Sequence, residues 1–320
     1  MRLIGGAEEP ALVPLAGGVS SDIYRVDLAQ GPVCLKRALP KLRVGADWTA
    51  PVERNHFEAE WMRTARAIEP DFVPRIIGHD SESGTFAMEY LPPETHPVWK
   101  AQLRDGDIDP AVAAEVARRI VAVHAASARD PSIAQRFPTD AIFHAIRLEP
   151  YLIATAARHP DRALELGRLA SVTAATKLAL VHGDVSPKNI LVGPRGPILL
   201  DAECAWHGDP AFDLAFCLNH TLLKCLWRPH WRARYLECFE ALAMTYCSLV
   251  TWESPEGLEA RTARLLPGLF LGRVDGKSPV EYLTDETDKH RVRRVARELL
   301  LHPVGRLAEI KDAWRRELEG

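Results

Sequence analysis

LVHGDVSPKNILVGPRGPILLDAECAWHGDPAFD, residues 180–213, places acidic and amide side chains directly after two apolar runs. Asp184 follows the first run, with Asn189 five positions later, and Asp201 and Glu203 follow the second run. Carboxylates at the ends of buried strands are costly unless they bind a cation or take part in chemistry. We therefore interpret this stretch as a phosphoryl-transfer site, a hypothesis that requires a nucleotide pocket elsewhere in the chain.

The composition indicates an ordinary globular protein with enough chain for one large domain or two lobes. The 320 residues are 47% hydrophobic and 26% charged, and the net charge of -3 argues against broad nucleic-acid binding. The N-terminal residues do not resemble a signal peptide, and no apolar run is long enough to span a bilayer. The six cysteines lack zinc-type spacing. We expect a cytoplasmic protein without a nucleic-acid or membrane partner.

The chain before residue 91 is predicted to form strands and one helix. Gly17, Gly18, Ser20 and Ser21 lie in a turn between two apolar runs, AGGVSSD. Glycines in such a turn allow backbone N–H groups to approach an anion, although a simple hairpin turn is the more common explanation. Lys36 lies among apolar residues in the predicted strand PVCLKR. By itself, this lysine would be interpreted as a solvent-exposed edge residue.

The predicted helix over residues 52–67 carries two acids, Glu58 and Glu60, and either could reach a buried lysine on the neighbouring strand. The later sequence has mostly helical patterning. We predict a helical stretch over residues 139–158, and a loop over residues 273–282 that interrupts the helical C-terminal half.

The order of these features resembles a kinase fold: a Gly-rich turn, a strand lysine, a helix glutamate, H-G-D-x-x-x-x-N, and a strand ending in Asp. HGDVSPKNILV, LLDAE and GDPAFDLA resemble the aminoglycoside phosphotransferase and choline kinase family of small-molecule kinases. Protein kinases are less similar, because Gly183 stands where their catalytic loop has Arg, and Ala-Glu follows Asp201 in place of Phe-Gly. The resemblance implies an α+β, two-lobe protein-kinase-like fold. We expect a β-rich nucleotide-binding lobe over residues 1–91 and a helical catalytic and acceptor-binding lobe over residues 92–320.

The resemblance also implies a function, which is ATP- and Mg²⁺-dependent phosphorylation of a hydroxyl group on an aminoglycoside, amino alcohol, sugar or related metabolite. GTP as the donor stays open. Asp184 would accept the proton of the attacking hydroxyl, because an unperturbed carboxyl is ionised at neutral pH. Lys188 is a candidate contact of the γ-phosphate, with a solvent-exposed loop lysine as the equal alternative. Asn189 and Asp201 would supply the oxygen ligands that suit Mg²⁺. Two later acids are interpreted as carboxylates that hold this loop: Asp209 and Asp213.

On the nucleotide side, the resemblance implies that Lys36 pairs with the α- and β-phosphates and is held by a helix carboxylate. Glu58 is preferred because its spacing to Met62 and Ala65 resembles the family pattern E-x-x-x-L-x-x-L, with Glu60 as the alternative. The turn with the two glycines and two serines would cover the phosphates. The base would meet the backbone of four successive residues: Met88, Glu89, Tyr90 and Leu91.

The acceptor site is the least determined part of the sequence. Glu203 is a candidate for a second metal or substrate contact, and Trp206 is close enough in sequence to border the acceptor. Arg273, Asp275 and Lys277 are candidate acceptor contacts in the predicted loop, where a surface turn between helices is the competing interpretation. The two basic residues leave an acidic or phosphorylated acceptor open.

Two alternative functions compete with a small-molecule kinase. A protein kinase is disfavoured by HGD and by the sequence after Asp201. A catalytically silent nucleotide-binding regulator is disfavoured because such a protein has no chemical need to retain Lys36, Asp184, Asn189 and Asp201 together. The sequence does not indicate an oligomeric state.

Overall fold

The computed structural model of the protein describes residues 10–15, 20–43 and 48–320. It confirms a two-lobe, kinase-like architecture, with a β-rich N-terminal lobe and a larger helical C-terminal lobe. The elements of the N-terminal lobe are β1 Leu12–Pro14, β2 Ser21–Leu28, β3 Gly31–Ala38, α1 Arg54–Ile68, β4 Ile76–Asp80 and β5 Thr85–Glu89. The lobe boundary predicted after Leu91 falls between β5 and the next helix.

The N-terminal lobe contains an antiparallel sheet with the strand order β1-β2-β3-β5-β4. Side chains along a strand point alternately to its two faces, and in the central strand β3 the residues Cys34, Lys36 and Ala38 share one buried face. Helix α1 packs on that face, with Ala59 and Met62 fully buried. The sheet and α1 thus enclose Lys36, which the strand pattern alone would have left in solvent.

The C-terminal lobe is mainly helical, with two short antiparallel strand pairs. Ala179–Val181 pairs with Trp206–Gly208, and Ile190–Gly193 pairs with Gly196–Leu199. The elements are α2 Trp99–Asp105, α3 Pro110–Ser127, α4 Ile133–Arg136, α5 Asp140–Phe143, a π-helical stretch His144–Ile153, α6 Ala154–Arg158, α7 Ala163–Ala175, β6 Ala179–Val181, β7 Ile190–Gly193, β8 Gly196–Leu199, β9 Trp206–Gly208, α8 Ala211–Trp227, α9 Arg232–Ser248, α10 Pro255–Asp275, α11 Glu286–Leu301 and α12 Leu307–Glu319.

Helix α8 lies in the centre of this lobe and is buried from Ala211 to Leu226. A helix that is apolar on all sides is typical of the core of a larger domain. Helices α9 and α10 pack against it, and the chain enters α8 directly from the motif region. This packing gives the motif region a rigid support. None of the described helices combines the length and apolar character needed to cross a bilayer.

The predicted helical stretch over residues 139–158 is helical from Asp140 to Arg158. Its middle part, His144–Ile153, is π-helical and contains Pro150, which has no N–H to donate. The predicted start of the loop at residue 273 was wrong, because helix α10 continues to Asp275. A side chain at Gly272 would overlap the backbone carbonyl of Tyr151, so this glycine allows close packing rather than ending the helix.

Candidate active site

The first half of the candidate site is a buried cluster of ion pairs around Lys36. Its Nζ donates a hydrogen bond to Glu58 Oε1 on α1 at 2.7 Å and another to Asp201 Oδ1 after β8. Lys36 and Glu58 are only 3% and 1% exposed. Glu60 instead pairs with Arg63 on the outer side of α1. Of the two candidate acids, the fold therefore brings Glu58 to the lysine.

Opposite charges in this cluster act against the effect of burial. For Glu58 burial prevails, and it raises the pKa of this carboxyl to about 7 although Lys36 lowers it. Burial disfavours the Lys36 ammonium, but the carboxylates of Asp201 and Glu58 raise its pKa above the ordinary value. For Asp201, burial acts to raise the pKa, yet Lys36 and Lys188 lower it overall. Lys36 and Asp201 are therefore both charged at neutral pH, as phosphate binding and metal binding require.

Glu58→Gln should weaken the binding of Mg·ATP, because the Lys36 ammonium loses a carboxylate that holds it in place. Taking about 1.5 kcal/mol for a hydrogen bond to a charged group, we expect the Kd to rise about tenfold. Calorimetric titration with Mg·AMP-PNP measures this change. Glu60→Gln is the matched control on the same helix and should leave the Kd unchanged. Equal effects of the two substitutions would contradict the role of Glu58.

The second half of the candidate site is the loop after β6, where two cations hold the Asp184 carboxylate. Arg147 Nη2 lies 2.8 Å from Asp184 Oδ2, and Lys188 Nζ lies 3.3 Å from the same oxygen. Arg147 comes from the π-helical stretch, is buried, and also donates through Nε to the carbonyl of Gly183. Sequence reasoning missed Arg147, because no motif marks it and its partner is distant in the chain.

The environment keeps Asp184 ionised. Burial acts to raise the pKa of this carboxyl, but the charges of Arg147 and Lys188 lower it below the ordinary value. Burial lowers the pKa of neighbouring His182, and its Nδ1 accepts a hydrogen bond from the Asp184 N–H at 3.1 Å. A neutral His182 thus braces the loop, while Asp184 is the group able to accept a proton.

Asp213 fixes the backbone of the same loop from the first turn of α8. Its carboxylate accepts hydrogen bonds from the N–H groups of His182 and Gly183, both at 2.7 Å, and contacts His124 Nε2 at 3.1 Å. Gly183 has a φ of 78°, and a Cβ there would lie 2.7 Å from the Cβ of Cys204. The glycine of HGD is therefore required by conformation and by close packing.

Asn189 and Asp201 have the oxygen atoms that the expected Mg²⁺ site requires. Asn189 Nδ2 donates to the Asp184 carbonyl at 3.1 Å, which leaves its amide oxygen as a ligand. Asp201 has a φ of 67°, the one positive φ of a non-glycine residue in the described parts of the chain. Residues 10–15, 20–43 and 48–320 contain no group of three or more His, Cys, Asp or Glu side chains placed to hold a metal. Mg²⁺ here would need phosphate and water oxygens as well, which is its usual coordination.

The other predicted nucleotide contacts lie along the N-terminal lobe. Gly17 and Gly18 are outside the described residues, whereas Ser20 and Ser21 are buried at the start of β2. The segment Met88, Glu89, Tyr90, Leu91 forms the end of β5 and the start of the connector. The Glu89 N–H already donates to the Arg75 carbonyl at 2.9 Å. The predicted contact between this segment and the base stays a prediction.

Arg54 is the second functional candidate that sequence reasoning missed. Its Nε donates to Glu203 Oε2 at 2.9 Å, and its side chain is 1% exposed. Its other nitrogens donate to backbone carbonyls, including that of Ser20 at 2.7 Å and that of Leu39 at 2.7 Å. This side chain ties the turn before β2, the end of β3 and the segment after Asp201 together. Glu203 is thus engaged by a cation from the N-terminal lobe.

Trp206 and Asp275 have structural contacts of their own. The Trp206 ring is 1% exposed and stacks on Phe143 with centroids 4.0 Å apart. The carboxylate of Asp275 faces His159 Nε2 at 2.9 Å and Arg293 Nη2 at 2.8 Å. These contacts occupy both side chains, and they do not direct either one toward Asp184.

Among the acceptor candidates, Arg273 contacts Tyr151, a neighbour of the Arg147 side chain that pairs with Asp184. It lies in the last turn of α10, and its Nη1 is 3.2 Å from the hydroxyl of Tyr151. The Arg147 guanidinium, which pairs with Asp184, lies 5.7 Å from the same tyrosine ring. Lys277 pairs with Glu149 at 2.7 Å on the neighbouring π-helical stretch.

The chain is similar to several characterised kinases. Methylthioribose kinase 1 of Oryza sativa subsp. japonica is 26% identical over 254 residues, which cover 69% of this chain and 58% of the relative. Methylthioribose kinase of Yersinia pseudotuberculosis serotype O:3 is 28% identical over 219 residues, covering 60% and 53%. The chain spans little more than half the length of these two relatives.

Two solved structures share the fold. An aminoglycoside phosphotransferase from Alicyclobacillus acidocaldarius has a TM-score of 0.51 at 13% identity, covering 100% of this chain and 97% of that one. An amicoumacin kinase in complex with AMP-PNP, Ca²⁺ and Ami has a TM-score of 0.54 at 14% identity, covering 92% and 90%.

A family model for the phosphotransferase enzyme family aligns with residues 11–245. The matched residues include Lys36, Glu58, Asp184 and Asp201, the four acidic and basic groups around which the candidate site is built. Since the match covers most of the 320 residues, the chain belongs to the phosphotransferase enzyme family.

Proposed function

We propose that this protein transfers the γ-phosphoryl group of ATP, in the presence of Mg²⁺, to a hydroxyl group of a small molecule. The observation that carries the proposal is the buried cluster of Lys36, Glu58 and Asp201, which joins the two lobes. Phosphoryl transfer depends on charge neutralisation and alignment more than on covalent chemistry. A fixed ammonium beside a metal-ligating carboxylate supports that reaction.

Each charged residue of the candidate site would have one role in phosphoryl transfer. Arg147 and Lys188 both contact Oδ2 of Asp184, so Oδ1 is the oxygen that would accept the proton of the acceptor hydroxyl. Lys36 would pair with the α- and β-phosphates. Lys188, whose side chain is 52% exposed, would reach the γ-phosphate. When bound to Asn189 and Asp201, Mg²⁺ would neutralise charge on the nucleotide phosphates.

A sugar hydroxyl is the first acceptor class to test. The curated relatives described above are named methylthioribose kinases, and they share about a quarter of their aligned residues with this chain. The structural neighbours include an aminoglycoside phosphotransferase and an amicoumacin kinase. They support a kinase-like fold, and they do not favour one class of acceptor over another.

The test is a screen for acceptor-dependent ADP release with Mg·ATP over sugars including methylthioribose, amino alcohols, hydroxy amino acids and aminoglycosides. We expect at least one compound to stimulate ADP release by the wild-type protein and not by Asp184→Asn. A protein that binds Mg·ATP and phosphorylates no compound in the screen would instead support the regulator alternative. Phosphorylation of protein substrates alone would support a protein kinase.

A further inference from the structure

A group of basic side chains on α2, α8 and α10 lies beside the candidate site and has no role in the chemistry proposed above. We call it the basic cluster: Lys100, His220, Lys224 and Arg273. Lys224 follows His220 by one helical turn on α8, so the two side chains lie on the same side of that helix. His220, Lys224 and Arg273 are 6%, 1% and 7% exposed. Lys100 is partly exposed, so the cluster reaches solvent there.

Two stacked aromatic rings face the lysines of the basic cluster. Trp227 and Tyr282 have ring centroids 4.4 Å apart and an interplanar angle of 21°. The Lys224 ammonium lies 5.5 Å and 5.3 Å from the two centroids, and the Lys100 ammonium lies 6.0 Å and 5.6 Å from them. Such contacts stabilise an ammonium without neutralising it.

Polar atoms of the basic cluster and of the adjacent Tyr282 are buried without a partner. Among the described residues, two atoms of the basic cluster, His220 Nε2 and Arg273 Nε, have no hydrogen-bond partner, and neither has the Tyr282 hydroxyl. Buried polar atoms are normally satisfied, and leaving one unsatisfied costs stability. Two such atoms in the basic cluster and a third beside it point to a ligand that supplies the missing partners.

Contacts connect the basic cluster with the Asp184 carboxylate. The Arg147 guanidinium pairs with Asp184 and lies 5.6 Å from the Phe216 ring, which meets the His220 ring edge-on at 5.4 Å. On the other side, Arg273 donates to the Tyr151 hydroxyl, whose ring also faces Arg147. The basic cluster thus lies two side-chain contacts from Arg147, the residue that pairs with Asp184.

The charge of the basic cluster is positive and poorly compensated. Lys100, Lys224 and Arg273 face the Glu281 carboxylate, which already pairs with Lys100. Burial, together with the neighbouring Lys100 charge, lowers the pKa of Lys224 to about 7. Burial and the charges of Arg273 and Lys224 keep the pKa of His220 well below its ordinary value. An anion would relieve this repulsion and raise the pKa of Lys224.

We propose that the basic cluster binds an anionic group, a carboxylate or a phosphate monoester, of the hydroxyl compound that the protein phosphorylates. Lys224 and Arg273 supply the charge, and the Tyr282 hydroxyl and His220 Nε2 supply hydrogen bonds. The inference rests on the proposed function for its second part, that the bound molecule is the acceptor. It predicts that neutral sugars and cationic amino sugars are poorer acceptors than acids with a similar carbon skeleton.

Binding is tested first, without phosphoryl transfer. Calorimetry on protein saturated with Mg·AMP-PNP compares gluconate, glucose 6-phosphate, glucose and glucosamine, and inorganic phosphate tests charge alone. We expect at least one anion to bind at least about tenfold more tightly than glucose and glucosamine, because charge-assisted hydrogen bonds are the strong ones. Gluconate and glucose 6-phosphate distinguish a carboxylate from a phosphate. Tighter binding of glucose or glucosamine, or no binding of any anion, would overturn the inference.

Lys224→Met removes the ammonium and keeps an unbranched side chain of similar length in the core. This variant should lose at least about tenfold in affinity for the bound anion and keep the wild-type Kd for Mg·AMP-PNP. Lys311→Met is the matched control on α12, where the lysine pairs with Glu240, and it should change neither affinity. A Lys224→Met protein that is folded and binds the anion as wild type does would contradict the inference.

The pH dependence gives a second readout. Gluconate stays ionised across neutral pH, so its Kd should rise above pH 7 as Lys224 loses its proton, and Lys224→Met should remove this dependence. The titratable groups facing Lys224 from its own helix are Cys217 and His220, and those from neighbouring segments are Lys100, Arg273, Glu281 and Tyr282. A gluconate Kd that is equally independent of pH in wild type and variant would count against the role of Lys224.

The same compounds in the ADP-release assay separate the two proposals. If anions bind through Lys224 and no compound stimulates ADP release, the site stands and the proposed function fails. If neutral sugars are phosphorylated best and Lys224→Met has wild-type kcat/KM for them, the proposed function stands and the inference fails.

Discussion

Asp184→Asn is expected to lower kcat by about 10²–10⁴-fold, the usual contribution of a positioned general base. The substitution keeps the size of the side chain and removes the negative charge that would accept the proton of the acceptor hydroxyl. Binding of Mg·ATP should change little, because Lys36, Asn189 and Asp201 are retained. The measurements are acceptor-dependent ADP release for kcat and calorimetry with Mg·AMP-PNP for Kd.

The pH profile sharpens this prediction. Arg147 and Lys188 lower the pKa of Asp184 against the effect of burial, so this carboxylate stays ionised at a pH near the ordinary carboxyl pKa. Protonation of Asp184 should therefore lower the wild-type kcat only at a pH below the ordinary carboxyl pKa. Asp312→Asn makes the same Asp-to-Asn change at a partly exposed position of α12. This control variant should retain the wild-type kcat. Turnover by Asp184→Asn equal to that of the wild type would exclude Asp184 as the base.

Arg54→Met is expected to lower the free energy of unfolding by about 3–5 kcal/mol, the range observed when one partner of a buried ion pair is removed. The guanidinium is 1% exposed, and it pairs with Glu203 while donating to the carbonyls of Ser20 and Leu39. Methionine fills part of the volume but leaves the Glu203 carboxylate and these carbonyls without their donor. Chemical denaturation followed by circular dichroism measures the loss.

Arg63→Met provides the matched control for Arg54→Met. Arg63 lies on the same helix, is 40% exposed and pairs with Glu60, so its removal should cost at most about 1 kcal/mol. Equal losses for the two variants would show that the contacts of Arg54 do not tie the lobes together. Arg54→Met should also raise the KM for ATP, because Arg54 holds the carbonyl of Ser20, which borders the predicted phosphate turn.

The local motifs allowed much of the candidate site to be predicted. Asp184, Asn189 and Asp201 lie within one short stretch, where H-G-D-x-x-x-x-N and a strand ending in Asp resemble the motifs of a known kinase family. The glycine of HGD was noted as a departure from protein kinases, and the fold explains it through the positive φ of Gly183. Two lobes, one β-rich and one helical, also followed from the change in sequence patterning.

The partners of the charged residues were not predictable in the same way. Arg54 and Arg147 carry no motif, and each reaches a carboxylate that is distant in sequence, Glu203 or Asp184. The choice between Glu58 and Glu60 depended on which face of α1 meets β3, which neighbouring positions in a sequence do not reveal. Sequence proximity favoured Trp206 as an acceptor contact, whereas the fold stacks its ring on Phe143.

The sequence by itself therefore determined the β-rich and helical parts of the chain through periodicity, and the residue types of the candidate site through short motifs that resemble a known family. Only the tertiary structure decided which of the buried charges are paired with a carboxylate and which are not. Lys224 illustrates the difference. In the sequence of α8 it resembles any other lysine of a helix, and its proposed role in anion binding follows from Trp227, Tyr282 and Arg273, which the fold places around it. The physical reason is that the free energy of a buried charge is set by its neighbours in space, which the fold brings together from distant parts of the chain.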